Sequence, residues 1–164
     1  MAREELAAVC GLYCGACVIY RACHDNNQQR LKEVYEDISS RQQATPDDVY
    51  CDGCLGGGRL TTYCRQCEIR LCPKIRRGTR CSDCLDFPCS RISAFNSDGV
   101  RHHAEVLDSL RRMREIGVSA WVEEQERRWR CPECGKAVEW YSRPCFHCGA
   151  EQPRRLPSLP RDKK

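Results

Sequence analysis

The sequence predicts a small metal-stabilised α+β protein. Its expected parts are an irregular cysteine-rich zinc-knuckle domain, a helical connector and a C-terminal zinc ribbon. Three observations carry that expectation. Cysteine supplies 16 of the 164 residues, about 10%, and a share above roughly 8–10% already marks a stapled scaffold. Six C-x-x-C pairs recur: Cys14/Cys17, Cys51/Cys54, Cys64/Cys67, Cys81/Cys84, Cys131/Cys134 and Cys145/Cys148. The cysteines are also unevenly placed, with twelve in residues 1–95, none in 96–129 and four in 130–150.

The apolar content explains why staples are needed. Hydrophobic residues make up 41% with the cysteines included, and aromatics only 7%. A core that thin does not hold a chain of this size alone. Disulfides would serve in an oxidising compartment. The opening MAREELAAVCGLYCGAC, however, shows no basic segment followed by a long apolar run. No stretch approaches the ~18 apolar residues of a membrane span. A cytoplasmic protein with reduced thiols is therefore expected, without membrane insertion. In such a protein C-x-x-C pairs aim two sulfurs at one ion. The formal charge of +4 counts every thiol as neutral. Four zinc ions in four-thiolate sites would bring it to about −4, so the basic balance argues little for a nucleic-acid partner.

The first expected domain is 1–95. Within it, residues 28–43 read as a helix, because Leu31, Val34, Tyr35 and Ile38 recur on one face. The polar TPDD at 45–48 ends it. Gly56, Gly57 and Gly58 read as a flexible turn, since the Lys-Ser/Thr that completes a phosphate-binding loop does not follow. Grouped locally, the thiols make three sites: Cys51, Cys54, Cys64 and Cys67; Cys72, Cys81, Cys84 and Cys89; Cys10, Cys14, Cys17 and Cys23. Local grouping is the simplest assumption, and interleaved sites use the same pairs. Cys10-x-x-x-Cys14-x-x-Cys17 also matches the triad of radical S-adenosylmethionine enzymes. The chain has no room for their barrel, so the match reads as accidental. Thiolate quartets hold zinc and iron–sulfur clusters alike, so a [4Fe–4S] cluster in this domain stays open.

The connector, 96–129, reads as two helices. Over 98–116, Val106, Leu107, Leu110, Met113 and Ile116 line one face, and Gly117 closes it. A second helix over about 119–129 takes Ser119 as its cap. There Glu123–Arg127, Glu124–Arg128 and Glu126–Arg130 stand at i, i+4 spacing and neutralise the basic run. His102 and His103 read as helix-surface residues.

Residues 130–150 give the clearest signal. Cys131-Pro-Glu-Cys134-Gly and Cys145-Phe-His-Cys148-Gly are two knuckles, with AVEWY between them as a strand. Four sulfurs at that spacing make a closed tetrahedral zinc site. His147 lies inside a filled knuckle and is not counted as a ligand. Residues 151–164, EQPRRLPSLPRDKK, read as a disordered basic tail.

The strings CGLYCGACVIY at 10–20, CDGC at 51–54, YCRQCEIRLC at 63–72 and CSDCLDFPC at 81–89 resemble an uncharacterised cysteine-rich family of bacteria and archaea, labelled a domain of unknown function. REIGVSAWVEEQERRWRCPECG at 114–135 looks like the extension of longer members that end in a zinc ribbon. The resemblance spans roughly 8–150. It implies zinc binding and no particular reaction. Cys23 belongs less firmly to the pattern than Cys10, Cys14 and Cys17. Without it, one site would hold three cysteines plus His24, a water or a substrate.

The expected function is that of a multi-zinc, non-enzymatic protein carrying up to four structural ions. Its expected ligand is a protein, bound through the ribbon and a face around Trp121, Trp129 and Trp140. An iron–sulfur electron-transfer or accessory protein is the alternative. Nucleic-acid binding is third, through Lys74, Arg76, Arg77 and Arg80 with Arg154, Arg155, Arg161, Lys163 and Lys164. A hydrolase or transferase with an open zinc site comes last.

Overall fold

The computed structural model describes residues 3–75 and 79–159. Its α-helices are α1 (Val18–His24), α2 (Gln28–Arg41), α3 (Thr62–Arg65), α4 (Ser90–Asn96), α5 (Val106–Ile116) and α6 (Val118–Arg128). Among the described residues the β structure is limited to two isolated bridges, Ala7 with Tyr13 and Arg130 with Ala137. The expected α+β class is thus corrected to a mostly helical one. The AVEWY segment shows why. The Val138 N–H donates to Trp129 and the Trp140 N–H to Ala16. Its amides serve different segments, so no ladder forms.

The expected helix at 28–43 is α2. Asn27 caps it by accepting from the Arg30 N–H at 2.9 Å. Leu31, Val34 and Ile38 pack with Ala22 of α1 and with Val49. The expected helix at 98–116 is shorter, because a 3-10 turn at Arg101–His103 precedes α5. Gly117, at φ +85°, ends α5 and leads directly into α6. Ser119 therefore lies inside α6 and does not cap it. The expected i, i+4 pairs give way to longer-range ones. Glu124 pairs with Arg112 of α5 at 2.6 Å, and Arg128 with Glu105 at 2.7 Å. A partner across the helix hairpin fixes tertiary geometry as well as charge.

The main core crosses the expected domain boundaries. Leu6 and Val9 from the N-terminal segment meet Ile92, Val106, Leu110, Trp121, Val122, Trp129, Val138 and Leu156. Trp121 and Trp129 are only 1% and 3% exposed, so of the three tryptophans expected on one face only Trp140 is partly exposed. The two buried rings are the largest apolar volume available, and a thin core claims them. Residues 151–156, read from sequence as part of the disordered tail, pack as well. Gln152 and Leu156 are buried, and the Arg155 guanidinium donates to the Arg128 and Arg130 carbonyls at 2.7 Å each. Residues 160–164 lie outside the described residues. Among the described residues no helix is long and apolar enough to cross a membrane.

His102 and His103 are contact residues and not free helix surface. His102 stacks on Trp140 at 4.1 Å, with its Nδ1 2.6 Å from the Tyr141 hydroxyl. His103 stacks on Phe95 at 3.8 Å. Burial, with the neighbouring His103 adding to it, lowers His102 to about 3. An unfolded histidine titrates near 6.5, so the unfolded chain takes up this proton first. The His102 contribution is whole above about pH 6.5 and is lost as pH falls toward 3. His102→Phe keeps the stacking and removes the proton site. Urea midpoints at pH 7 and pH 5 should converge in this variant relative to the parent. Equal slopes in the two proteins would assign the pH dependence to other groups.

Candidate metal centres

The C-terminal module repeats one local structure twice. The Gly135 N–H donates to the Cys131 carbonyl at 2.9 Å, and the Gly149 N–H to Cys145 at 2.7 Å. The Cys131 N–H donates to Lys136, and the Cys145 N–H to Ala150, both at 2.8 Å. Gly135 and Gly149 sit at φ +69° and +77°, a turn that a Cβ would strain. The two knuckles bring Cys131, Cys134, Cys145 and Cys148 within 4.8 Å of one another, a group able to hold a metal ion. Two sulfur–sulfur edges measure 3.7 Å (Cys131–Cys148) and 3.9 Å (Cys134–Cys145). Cys131 and Cys145 are buried; Cys134 and Cys148 are exposed.

Amide groups already aim at this sulfur cluster. The Cys134 N–H, then the Glu133 N–H and the Gln152 side chain, hold the Cys131 thiol down at about 6, against the opposing effect of burial. The Gln152 amide donates to Cys131 Sγ at 3.3 Å. Sequence reasoning placed Gln152 in a free tail and missed it, because one glutamine beyond a knuckle carries no pattern. Outer-shell donors of this kind orient ligands and tune a site.

The module is docked on the first domain. Glu139 is buried and receives Arg30 of α2 in a bidentate pair, one arm of which is Nε to Oε2 at 3.2 Å. The Trp140 N–H reaches the Ala16 carbonyl at 2.9 Å, and His147 Nε2 lies 3.9 Å from Asp25.

All sixteen cysteines are free thiols. In the first domain they meet across segments and not within them. Cys10 faces Cys54 and Cys67, and Cys14 receives the Cys54 N–H. Cys17 faces Cys51, and Cys51 is in hydrogen-bonding contact with Cys64. The locally grouped quartets 10/14/17/23 and 51/54/64/67 are therefore interleaved. Adjacent sulfurs of one C-x-x-C, such as Cys14 and Cys17 or Cys51 and Cys54, turn toward different partners. Burial pushes the Cys10, Cys14 and Cys54 thiols up, and Cys17 to about 11. Thiolates there need a cation beside them.

The remaining four thiols share one pocket, and Cys81 among them also faces Cys67 and Cys10. Cys72, Cys81, Cys84 and Cys89 line one cavity of about 260 Å³, with Ile69, Ile75, Phe87 and Ile92 as apolar walls. Burial and the facing thiols of Cys89, Cys84 and Cys72 raise Cys81 to about 12.

Cys23 stands apart from the thiol groups. With His24 and Asp52 it forms a second set of ligand atoms within 4.8 Å of one another. His24 stacks on Tyr20 at 4.0 Å, and its Nε2 is 3.6 Å from Asp52. Arg59 enters the same set, donating to Cys23 Sγ at 3.6 Å and to Asp52. A guanidinium at that position opposes a cation.

Of the four described basic residues considered for nucleic acid, three are engaged. Arg80 is buried and donates to the Ala7 carbonyl at 2.9 Å and to Glu4 at 2.6 Å. Lys74 pairs with Asp86. Arg155 serves backbone carbonyls. Arg76, Arg77, Arg161, Lys163 and Lys164 lie outside the described residues.

A family model described as a protein of unknown function (DUF3795) matches residues 6–94, more than half of the chain. The match takes in every cysteine from Cys10 to Cys89, and the C-terminal module lies beyond it. No curated protein and no solved structure matches the chain.

Proposed function

The chain belongs to that family of unknown function, and from this premise we propose that it is a zinc-stabilised, non-catalytic protein-interaction module of the cytoplasm. The carrying observation is the sulfur spacing in the C-terminal quartet. Four sulfurs at ~2.3 Å from one zinc form a tetrahedron with edges of about 3.8 Å. The edges of 3.7 and 3.9 Å match it. Four cysteine ligands leave no open position, so zinc here supports structure and takes no part in a reaction. Its position supports the same reading, because Cys131 and Cys145 belong to the main core with Trp121 and Trp129. A protein is the proposed ligand, since closed sites serve binding surfaces better than turnover.

The test has two parts. Zinc bound per chain is measured on the native protein and on Cys134→Ala, which should lose one ion. Crosslinkers placed at the exposed side chains Tyr63, Leu71, Leu85 and Tyr141 should recover a stable protein partner from the native host. Equal zinc in both proteins would overturn the site. Crosslinking that yields no partner would overturn the interaction reading.

A further inference from the structure

The quartet Cys72, Cys81, Cys84 and Cys89 differs from the C-terminal one in size, and the difference selects its ligand. Among the described residues, two sets of three or more ligand atoms fall within 4.8 Å of one another: the C-terminal quartet and the Cys23 group. The four thiols around the cavity do not form such a set, although all four line it. They are spread more widely than one tetrahedral ion allows. The pocket between them, about 260 Å³ and partly open to solvent, has room for more than one atom. An iron–sulfur core places several irons and sulfides between its four thiolates, and so needs both the wider spread and the volume.

The frame around the cavity is built to keep this spacing. The loop that carries Cys81 and Cys84 is held by guanidinium groups on two sides. Arg80 ties it to the Ala7 and Glu4 carbonyls. Arg114 of α5 donates to the Ser82 carbonyl and, at 2.8 Å, to Cys84, with its guanidinium 4.6 Å from the Phe87 ring centroid. Asp83 accepts from the Arg80 N–H at 2.9 Å, and the Cys81 N–H donates to Val9 at 2.9 Å. A loop fixed at so many points does not collapse onto a smaller ion at low cost. Beside the four thiols the lining combines apolar Ile69, Ile75, Phe87 and Ile92 with polar Lys74, Asp86 and Arg91.

We propose that Cys72, Cys81, Cys84 and Cys89 hold an iron–sulfur cluster, while the C-terminal quartet holds zinc. The proposal goes beyond the zinc reading, and the two fail separately because they concern different cysteines. The full-length protein is purified without oxygen, reconstituted with ferrous iron and sulfide, and analysed for iron, acid-labile sulfide and zinc. Iron and sulfide in equal amounts are expected, together with zinc. The double variant Cys84→Ser/Cys89→Ser should lose the iron and sulfide and keep the zinc of the C-terminal module. Cys134→Ala should do the reverse.

A second measurement needs no variant. The reconstituted parent is exposed to oxygen, which destroys iron–sulfur clusters and leaves zinc in place. It is then alkylated and mapped by mass spectrometry. Cys72, Cys81, Cys84 and Cys89 should become labelled while Cys131 and Cys145 stay protected. Iron without sulfide, zinc at these four cysteines, or labelling there that oxygen does not change would each overturn the proposal.

Discussion

Removing the metal from the C-terminal module is expected to unfold residues 130–156 and loosen the connector with them. Structural zinc contributes roughly 10–16 kcal/mol of apparent free energy in small peptides. That is as large as the ~5–15 kcal/mol by which whole domains are stable. The effect should spread, because Cys131, Cys145 and Val138 share the main core with Trp121, Trp129 and Leu110. Hydrogen exchange after chelation reads this out. The Val138 and Trp140 amides, bonded to Trp129 and Ala16, should lose protection first, and amides of α5 and α6 should follow. Unchanged protection at Val138 after the metal has left would show that packing alone holds the module.

Arg30→Met should be the most damaging single substitution at the module's contact with the first domain. It leaves the Glu139 carboxylate buried without its partner. Stripping one member from a buried ion pair costs about 3–5 kcal/mol. The Arg30 side chain is 29% exposed, so the lower end of that range is expected. Burial raises the Glu139 pKa even with Arg30 present. A carboxyl whose folded pKa is raised contributes stability at low pH and loses it as pH rises through that value. The Arg30→Met deficit should therefore be largest at pH 7 and shrink as the medium approaches pH 4–5. Adding Glu139→Gln should recover most of it at pH 7. Urea midpoints of the single and double variants at the two pH values decide the matter. A deficit independent of pH would place the loss in packing of the arginine stem.

Local features were legible in the sequence where one residue type determines one geometry. The two knuckles at 131–135 and 145–149 follow from cysteine spacing and a glycine, and they stand where the pattern put them. Helix α2 follows from Leu31, Val34 and Ile38 at helical spacing. What sequence did not show depends on contacts between distant residues. Trp121 and Trp129 look the same in sequence whether they face solvent or core, and only the scarcity of other large apolar residues draws them inward. Glu124 has two arginines in reach, and the choice of Arg112 is made by the turn at Gly117. Gln152 and Arg155 read as tail because a proline-rich basic stretch has no periodicity. Their acceptors, the Cys131 sulfur and the Arg128 and Arg130 carbonyls, exist only once the module has formed.

The crossed thiols of the first domain also have a meaning for the order of synthesis. Cys10 and Cys14 meet Cys54, and Cys17 meets Cys51, which in turn meets Cys64. A nascent chain that has emerged only as far as α2 therefore holds Cys10, Cys14 and Cys17 and none of their opposite numbers. Closing the intervening loop is paid in chain entropy before any sulfur finds its neighbour. An ion that arrives early meets a half-made, exchangeable set of ligands. One that arrives after Cys67 has emerged meets both crossed sets at once. The crossed sets should consequently assemble in a single step, with the emergence of Cys67 and not local helix formation setting the moment at which they can take up metal.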